Sequence, residues 1–401
     1  MTDTPAAVEP AHSLIGASSM GRLIACPASF GLSRQVPGGG GGSSIYAATG
    51  TVAHALGEEA ITLAYDPASQ IGEVVVVDGH TVTVDAEMAE AVRIYVDEVR
   101  RRAAGASWHA IEVRVCLDPY WSDQDRPAVS AFGTADTLVY HGATQHLDVI
   151  DYKNGAGVFV DVADNPQLNY YAAGGLLEVP GPVLTIDLVI VQPNVRGTEK
   201  IRVHRTTALD VLMWVEEVLK PTIGEAMRPG ARITGGKHCR FCPARPVCPA
   251  LAAVAQELAR RDFGPSPNAP VVLTDDELGR VLADAELVDP YIQALREAAQ
   301  AKIEGGTPVP GWSLVPSRPV RAWSLPWAAL AARVPEGVRA KLLAPAALRT
   351  PAQVEKLLTP EDWALVEPFV ASKSSGVRLV PDVQNQTPGS SGRATAQDDF
   401  A

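Results

Sequence analysis

The segment Leu147-Asp-Val-Ile-Asp-Tyr-Lys153 limits how this chain can fold more than any other, because it places ionisable side chains in a run that otherwise has the pattern of a buried strand. Asp151 and Lys153 lie two residues apart and so share one face of that strand. Alone, such a pair more often marks a solvated face. In a strongly apolar strand, unpaired ions are costly without a partner such as a metal ion. Upstream, Gly133-Thr-Ala-Asp136 reads as the neighbouring strand, joined through a hairpin at His141-Gly142. Two carboxylates on adjacent strands can converge on one divalent cation, a hard ion that prefers oxygen ligands. Water on such a metal, beside the Lys153 ammonium, is suited to phosphodiester hydrolysis: the metal lowers the water's pKa and the ammonium offsets charge developing on the phosphate.

The surrounding pattern predicts an α/β fold with a mixed central sheet. Strand-like runs cover 109–117, 133–140, 146–152, 183–192 and 200–205, and a crossover helix over 166–177 begins at Asp164-Asn165-Pro166. That helix sets Gln167 and Tyr171 one turn apart, on a face able to meet a nucleic-acid strand. Helices are also expected over 51–64, which pairs His54 with Glu58 on one face, over 86–104, which ends in Arg100-Arg-Arg102, and over 210–226. Glu112, on the strand before Asp136, is a weaker candidate that could approach the metal or pair with Arg114. The glycine-rich run 38–44 is a flexible loop, since no Gly-Lys-Ser/Thr follows it. Gly155-Ala-Gly157 lacks the third glycine of a dinucleotide loop. Residues 1–12 are expected to fray, 264–270 to form a linker, 271–380 to form a smaller, mostly helical module with a short strand near 312–315, and 381–401 to be disordered.

Net charge bears on partners. With 34 Lys and Arg against 46 Asp and Glu, the formal charge of −12 excludes a uniformly basic surface built to coat nucleic acid. A local basic patch remains open: residues 230–262 hold Arg232, Lys237, Arg240, Arg245, Arg260 and Arg261 against Glu257 and Asp262. Arginines that merely solvate a helix are an equal reading. No stretch has the form of a signal peptide or a membrane span, so a cytoplasmic location without membrane association is expected.

Five cysteines in so long a chain are too few for a disulfide scaffold and turn attention to metal. Cys239-Arg-Phe-Cys242 followed by Pro-Ala-Arg-Pro-Val-Cys248 forms a tight three-thiolate loop. It needs a fourth ligand, and Cys26 and Cys116 are the remaining thiols; Cys116, on an apolar strand, reads as a core residue. Loop spacing alone leaves the metal open between an iron–sulfur cluster and structural Zn²⁺, the latter held by the same thiols or with His238 in place of Cys26.

Taken in order, Gly50-Thr-Val-Ala-His54, Gly-Thr-Ala-Asp136, Asp151-Tyr-Lys153 and Gln167-x-x-x-Tyr171 resemble the motifs of the RecB-like branch of the PD-(D/E)XK nuclease superfamily. The resemblance covers about residues 13–250 and implies a restriction-endonuclease-like core over 13–263. It implies Mg²⁺ or Mn²⁺ held by His54, Asp136, Asp151 and the backbone carbonyl of Tyr152, with Asp136, Asp151 and Lys153 catalytic and Gln167 and Tyr171 positioning DNA. One early cysteine plus the later loop is similar to the iron–sulfur staple of AddB-type and CRISPR-associated RecB-like nucleases. That similarity implies a [4Fe–4S] cluster on Cys26, Cys239, Cys242 and Cys248. The chain is also similar to phage-encoded nucleases of this size that accompany replication or recombination genes. The expected function is therefore a metal-dependent deoxyribonuclease, in the first instance an exonuclease, acting in phage or prophage DNA recombination or repair alongside a helicase, annealing or single-strand-binding protein. The alternative is an inactive DNA-binding or scaffold subunit that keeps the fold and a structural metal. A zinc-binding regulator is a third reading, and no recognition helix or basic arm supports it.

Overall fold

The computed structural model describes residues 13–36, 44–155, 158–195, 197–262, 274–316, 320–325, 327–342, 349–373 and 377–381. The expected frayed start at 1–12, residues 38–43 of the glycine-rich loop, the linker at 264–270 and the tail beyond residue 381 lie outside the described residues. The chain divides into two compact units, residues 1–291 and 292–401.

The first unit runs α1 (Ala17–Ala25), α2 (Ser29–Ser33), α3 (Ile45–Thr62), β1 (Val74–Val77), β2 (His80–Thr83), α4 (Ala86–Ala103), β3 (Trp108–Cys116), β4 (Phe132–His141), β5 (His146–Tyr152), α5 (Pro166–Glu178), β6 (Thr185–Val191), β7 (Ile201–Thr207), α6 (Ala208–Trp214), α7 (Lys220–Ala226) and α8 (Pro249–Asp262). The helix α9 (Asp275–Glu304) contains the division. Strands β3-β4-β5-β6-β7 form one sheet in that order, and only β5 and β6 are parallel. The parallel pair requires a crossover, supplied by α5.

Period-two alternation divides the core between the two faces of this sheet. Leu147 and Val149 of β5, with Ile186, Leu188 and Ile190 of β6, pack toward α1, α5, α6 and α7. Ile150 and Tyr152, with Val189 and Val191, pack toward α3 and α4. The result is the expected α/β layering of helices on both sides of a mixed sheet. Close approach of α5 depends on bare backbone, since a Cβ at Gly174 would collide with the side chain of Val115.

Local signals account for the element ends. Asn165 Oδ1 accepts from the amides of Gln167 and Leu168 at the start of α5, with Pro166 in the first turn. Asp85 caps α4 through the Met88 amide, and Arg100, Arg101 and Arg102 fall in its last turn, where cations suit the helix dipole. Helix α3 begins six residues before the expected start because Ser44 caps it through Ala47. The single helix expected over 210–226 is interrupted by a π turn, Val215–Leu219. Pro221 has no amide hydrogen to donate to residue 217, which breaks the regular ladder there.

The second unit contains β8 (Trp312–Pro316), β9 (Val320–Trp323), α10 (Trp327–Ala331), α11 (Glu336–Leu342), α12 (Pro351–Glu355), α13 (Pro360–Val366), β10 (Val370–Lys373) and β11 (Val377–Pro381). Its core is Leu330, Val334, Val338, Leu342, Val354 and Val366. The region is helical as expected, but β8 pairs with β11 and β9 with β10, so its described residues carry four short strands rather than one. Among the described residues, no helix is long and apolar enough to cross a membrane.

Candidate metal-dependent active site

The site lies where the sheet splits. Strand β4 pairs with β5 only from Thr137↔Ile150 onward, whereas its earlier residues pair with β3 alone. Strand β5 continues past Ile150 through Asp151 and Tyr152, paired there with β6 alone. One further step of the β4–β5 register sets Asp136 opposite Asp151, at the first position where these strands cease to bond. The split leaves both carboxylates beside strand edges that are not closed by a ladder, and the Tyr152 amide donates to Asp136 Oδ2 at 2.7 Å across the gap.

Other elements supply the remaining groups. From α3, His54 Nδ1 lies 3.6 Å from both Asp136 Oδ1 and Glu112 Oε1. Its ring packs edge-on against Tyr152 at 5.3 Å, and Tyr152 stacks on Tyr95 at 5.0 Å. His54, Glu112 and Asp136 offer ligand atoms within 4.8 Å of one another. Glu112 reaches this position through a left-handed backbone conformation, φ +47°, unusual for a strand residue. The β3–β4 register passes from Ile111↔Thr137 to Val113↔Ala135 and omits Glu112 opposite Asp136. Strain of this kind costs on the order of 1 kcal/mol and persists where the surroundings enforce it.

Lys153 Nζ donates to Asp151 Oδ1 at 3.2 Å and to Gln167 Oε1 at 3.0 Å. Gln167 Nε2 donates in turn to the Tyr171 hydroxyl at 3.2 Å. Tyr171 is only 6% exposed, so its hydroxyl fixes Gln167, and Gln167 fixes Lys153. Burial sets Tyr171 back from the expected direct contact with DNA, because α5 presses its Tyr171 face into the core, whereas Gln167 stays half-buried. Asp151 Oδ2 is 2.9 Å from Nζ yet, although buried, receives no hydrogen bond. Glu58, one turn beyond His54, is exposed and outside this group.

Electrostatics follow from burial and crowding. Burial, then the neighbouring Asp151 charge, pushes the Asp136 carboxyl up to about 7. Burial alone would depress the His54 imidazolium, but Glu112, Asp136 and Asp151 outweigh it and hold its pKa above the ordinary value. Lys153 is likewise raised: desolvation opposes the charge, and Asp151 and Asp136 more than restore it. His54, Glu112 and Asp136, the last with its proton held near neutrality, form a donor set that suits a hard divalent cation, with Asp151 beside it paired to Lys153.

A proton on Asp136 competes with such a cation, so Mn²⁺ affinity is expected to rise between pH 6 and pH 8, with proton release measurable by calorimetry in two buffers of different ionisation enthalpy. The metal-free sign is opposite. Asp136 binds its proton more tightly folded than unfolded, so its contribution to stability falls as pH rises from about 4 through about 7. The melting temperature of metal-free wild type relative to Asp136→Asn is expected to drop over that window, and no relative change would contradict the assignment.

The cysteines form a second site in the same unit. Cys26, Cys239, Cys242 and Cys248 line one cavity of about 20 Å³, together with His238. Cys26 caps the end of α1, and the Thr234 amide points at its sulfur at 3.4 Å. Burial raises the thiol pKa values of Cys239 and Cys242, so a cation would be needed to hold them as thiolates. Cys116 pairs opposite Phe132 on β3 and does not line the cavity. Arg232, Lys237 and Arg240 are exposed nearby, whereas the side chains of Arg260 and Arg261 fall outside the described residues.

Residues 12–387 match the family described as "Protein of unknown function (DUF2800)". The chain belongs to that family. The matched residues span both compact units.

A third polar group in this DUF2800 chain lies on the α4 side of the sheet. His146, Asp148 and Asp187 converge within 4.8 Å, but Arg102 bonds both carboxylates and Arg205 bonds Asp187 at 2.7 and 3.1 Å. These arginines already supply the positive charge, which makes the group a structural ion network.

Proposed function

We propose that this protein is a divalent-metal-dependent DNA nuclease of the RecB-like type, acting from DNA ends. The observation that carries the reading is the pair Asp136 and Asp151 at the split of β4 and β5, with Lys153 held against Asp151 by Gln167. His54, Glu112, Asp136 and the unbonded oxygen of Asp151 would hold Mg²⁺ or Mn²⁺, with the Tyr152 carbonyl as the further ligand the resemblance implies. When bound, such a metal supplies Lewis-acid activation of water and of a phosphoryl oxygen.

The chain's own residues have separable tasks. Lys153 places a positive charge beside the reacting phosphate, where charge grows in the transition state. Gln167 and Tyr171 keep that ammonium aimed and do not touch DNA in this reading. Tyr152 fixes Asp136 through its amide and supports His54 through its ring. The Cys26, Cys239, Cys242 and Cys248 cavity ties α1 to the segment before α8 and would hold a [4Fe–4S] cluster. The four-thiolate lining suits such a cluster, with structural Zn²⁺ as the alternative.

The test is cleavage of end-labelled linear and closed circular DNA, single- and double-stranded, with Mg²⁺ or Mn²⁺ and anaerobically purified protein. Loss of linear substrates alone is the expected result. Metal-dependent cutting of closed circles would make the enzyme an endonuclease, and inactivity on every substrate would favour the scaffold reading.

Metal analysis tests the staple separately. Wild type is expected to carry about four irons per chain and broad visible absorbance, and Cys239→Ser to lose both and melt at lower temperature. One zinc and no iron would assign the cavity to zinc; neither metal would remove the staple.

A further inference from the structure

The segment that leads from Lys153 toward α5 displays apolar side chains at Val158 and Phe159. Val158 is 47% and Phe159 50% exposed, in a segment flanked on one side by Asp151 and Lys153 and on the other by Gln167. Several apolar side chains of this chain are as exposed, and what sets Phe159 apart is how the backbone around it is held. The backbone at Gly155, Val158 and Val160 is held by buried side chains. Gln192, 1% exposed and just past the β6 residue that pairs with Tyr152, receives the Val160 amide on Oε1 at 3.2 Å and donates from Nε2 to the carbonyls of Gly155 at 3.1 Å and Val158 at 2.8 Å. Arg202 of β7, 9% exposed, donates to Gln192 Oε1 at 2.8 Å and to the Val160 carbonyl at 2.9 Å. The same guanidinium lies over the Phe159 ring, 4.6 Å from its centroid.

Two buried polar side chains thus hold a surface loop so that an aromatic ring stays in place with one face backed by a cation and half its surface open. Asn194 continues the clamp by donating to the carbonyl of Asn154, next to Lys153. A collapsed loop would hide the ring, and an untethered one would not orient it. We propose that Phe159 is a stacking platform for a nucleobase of single-stranded nucleic acid whose backbone passes the Asp136 and Asp151 site. Every base offers a π-face, so such a platform engages a strand without selecting its sequence, and a guanidinium behind the ring adds a cation to the stack. A paired base keeps its faces within the duplex, so the platform favours single strands or frayed ends. The inference rests on the nuclease reading and deepens it by naming the form of substrate.

The experiment uses oligonucleotides carrying 2-aminopurine, whose fluorescence falls on stacking, bound to full-length Asp151→Asn protein so that the strand stays intact. The parent is expected to bind single strands with quenching. Adding Phe159→Ala is expected to weaken binding about tenfold and remove the quench, while Phe159→Trp retains both and Val158→Ala changes neither. A melting curve for each variant controls for folding. Equal affinity and quenching in Phe159→Ala would overturn the platform and leave the nuclease reading intact, as would single-strand binding by the parent without quenching. Cleavage of duplex by wild type with no single-strand binding by the parent would also overturn the platform alone. Neither binding nor cleavage of any DNA would overturn both.

Discussion

Asp151→Asn is expected to lower metal-dependent cleavage by at least about a thousandfold while leaving the fold in place. The substitution keeps the side chain's shape but removes the charge that pairs with Lys153 at 2.9 Å. Lys153 keeps its bond to Gln167 and about a quarter of its side-chain surface in solvent, so it is not stranded. Stability therefore changes much less than activity does. Single-turnover cleavage, DNA binding by anisotropy and a melting curve on the same preparation separate these effects. Binding and melting near wild type with cleavage lost would place Asp151 in the chemistry. Cleavage within tenfold of wild type would remove it from the centre of the site. Lys153→Gln is expected to behave similarly, and Gln167→Ala more mildly, because Gln167 acts through the lysine.

Much of this site was legible because its residues lie on one short strand and its neighbour. Apolar alternation in 147–153 reveals the face shared by Asp151 and Lys153, and a short hairpin makes β4 the adjacent strand before any coordinates exist. Glu112 is harder to see. It is one acid in Ile111-Glu-Val-Arg114, and only the β3–β4 register and its positive φ bring it to His54. No local preference announces a left-handed residue in a strand, since the surrounding structure imposes it. Tyr171 shows the opposite limit: the i, i+4 spacing correctly placed it beside Gln167, but helix periodicity does not say which face meets the sheet, and Tyr171 is buried.

The remaining differences have similar causes. The β1–β2 hairpin carries a readable turn, Asp78-Gly79, both at positive φ between two β-branched runs, and its signal was available in the sequence. In the C-terminal unit, the partners of β8 and β11 are about sixty residues apart, so short apolar runs near 370–381 gave no local sign of pairing. The cysteine loop was evident from spacing, whereas Cys26 joins it only through the return of the chain after α7, where the Arg232 carbonyl and Thr234 amide lie beside its sulfur.

Arg102→Met is expected to destabilise the protein by about 3–5 kcal/mol, through charges it leaves behind rather than volume it removes. Asp148 and Asp187 are direct partners across the parallel β5–β6 register, 3% and 6% exposed, so two carboxylates stand side by side in the interior. Arg102 bonds both and also Glu98, itself 5% exposed, at 2.6 Å. His141 and His146 lie 3.6 and 3.4 Å from Asp148, and Arg205 reaches Asp187 from the solvent side. The pH dependence makes the cause testable. In wild type, burial works against the Asp187 charge, but Arg205, His146 and Arg102 prevail and hold its pKa below the ordinary value, so its contribution is present at neutral pH and lost on acidification. Without Arg102, two adjacent buried carboxylates repel, at least one takes a raised pKa, and the variant is expected to recover part of its deficit as pH falls from 7 toward 5. Adding Asp148→Asn to Arg102→Met should restore stability at neutral pH, because it removes one of the two repelling charges. Urea unfolding of the single and double variants at pH 5 and pH 7 decides the matter. A deficit that is independent of pH and unrelieved by the second substitution would show that Arg102 acts by packing alone.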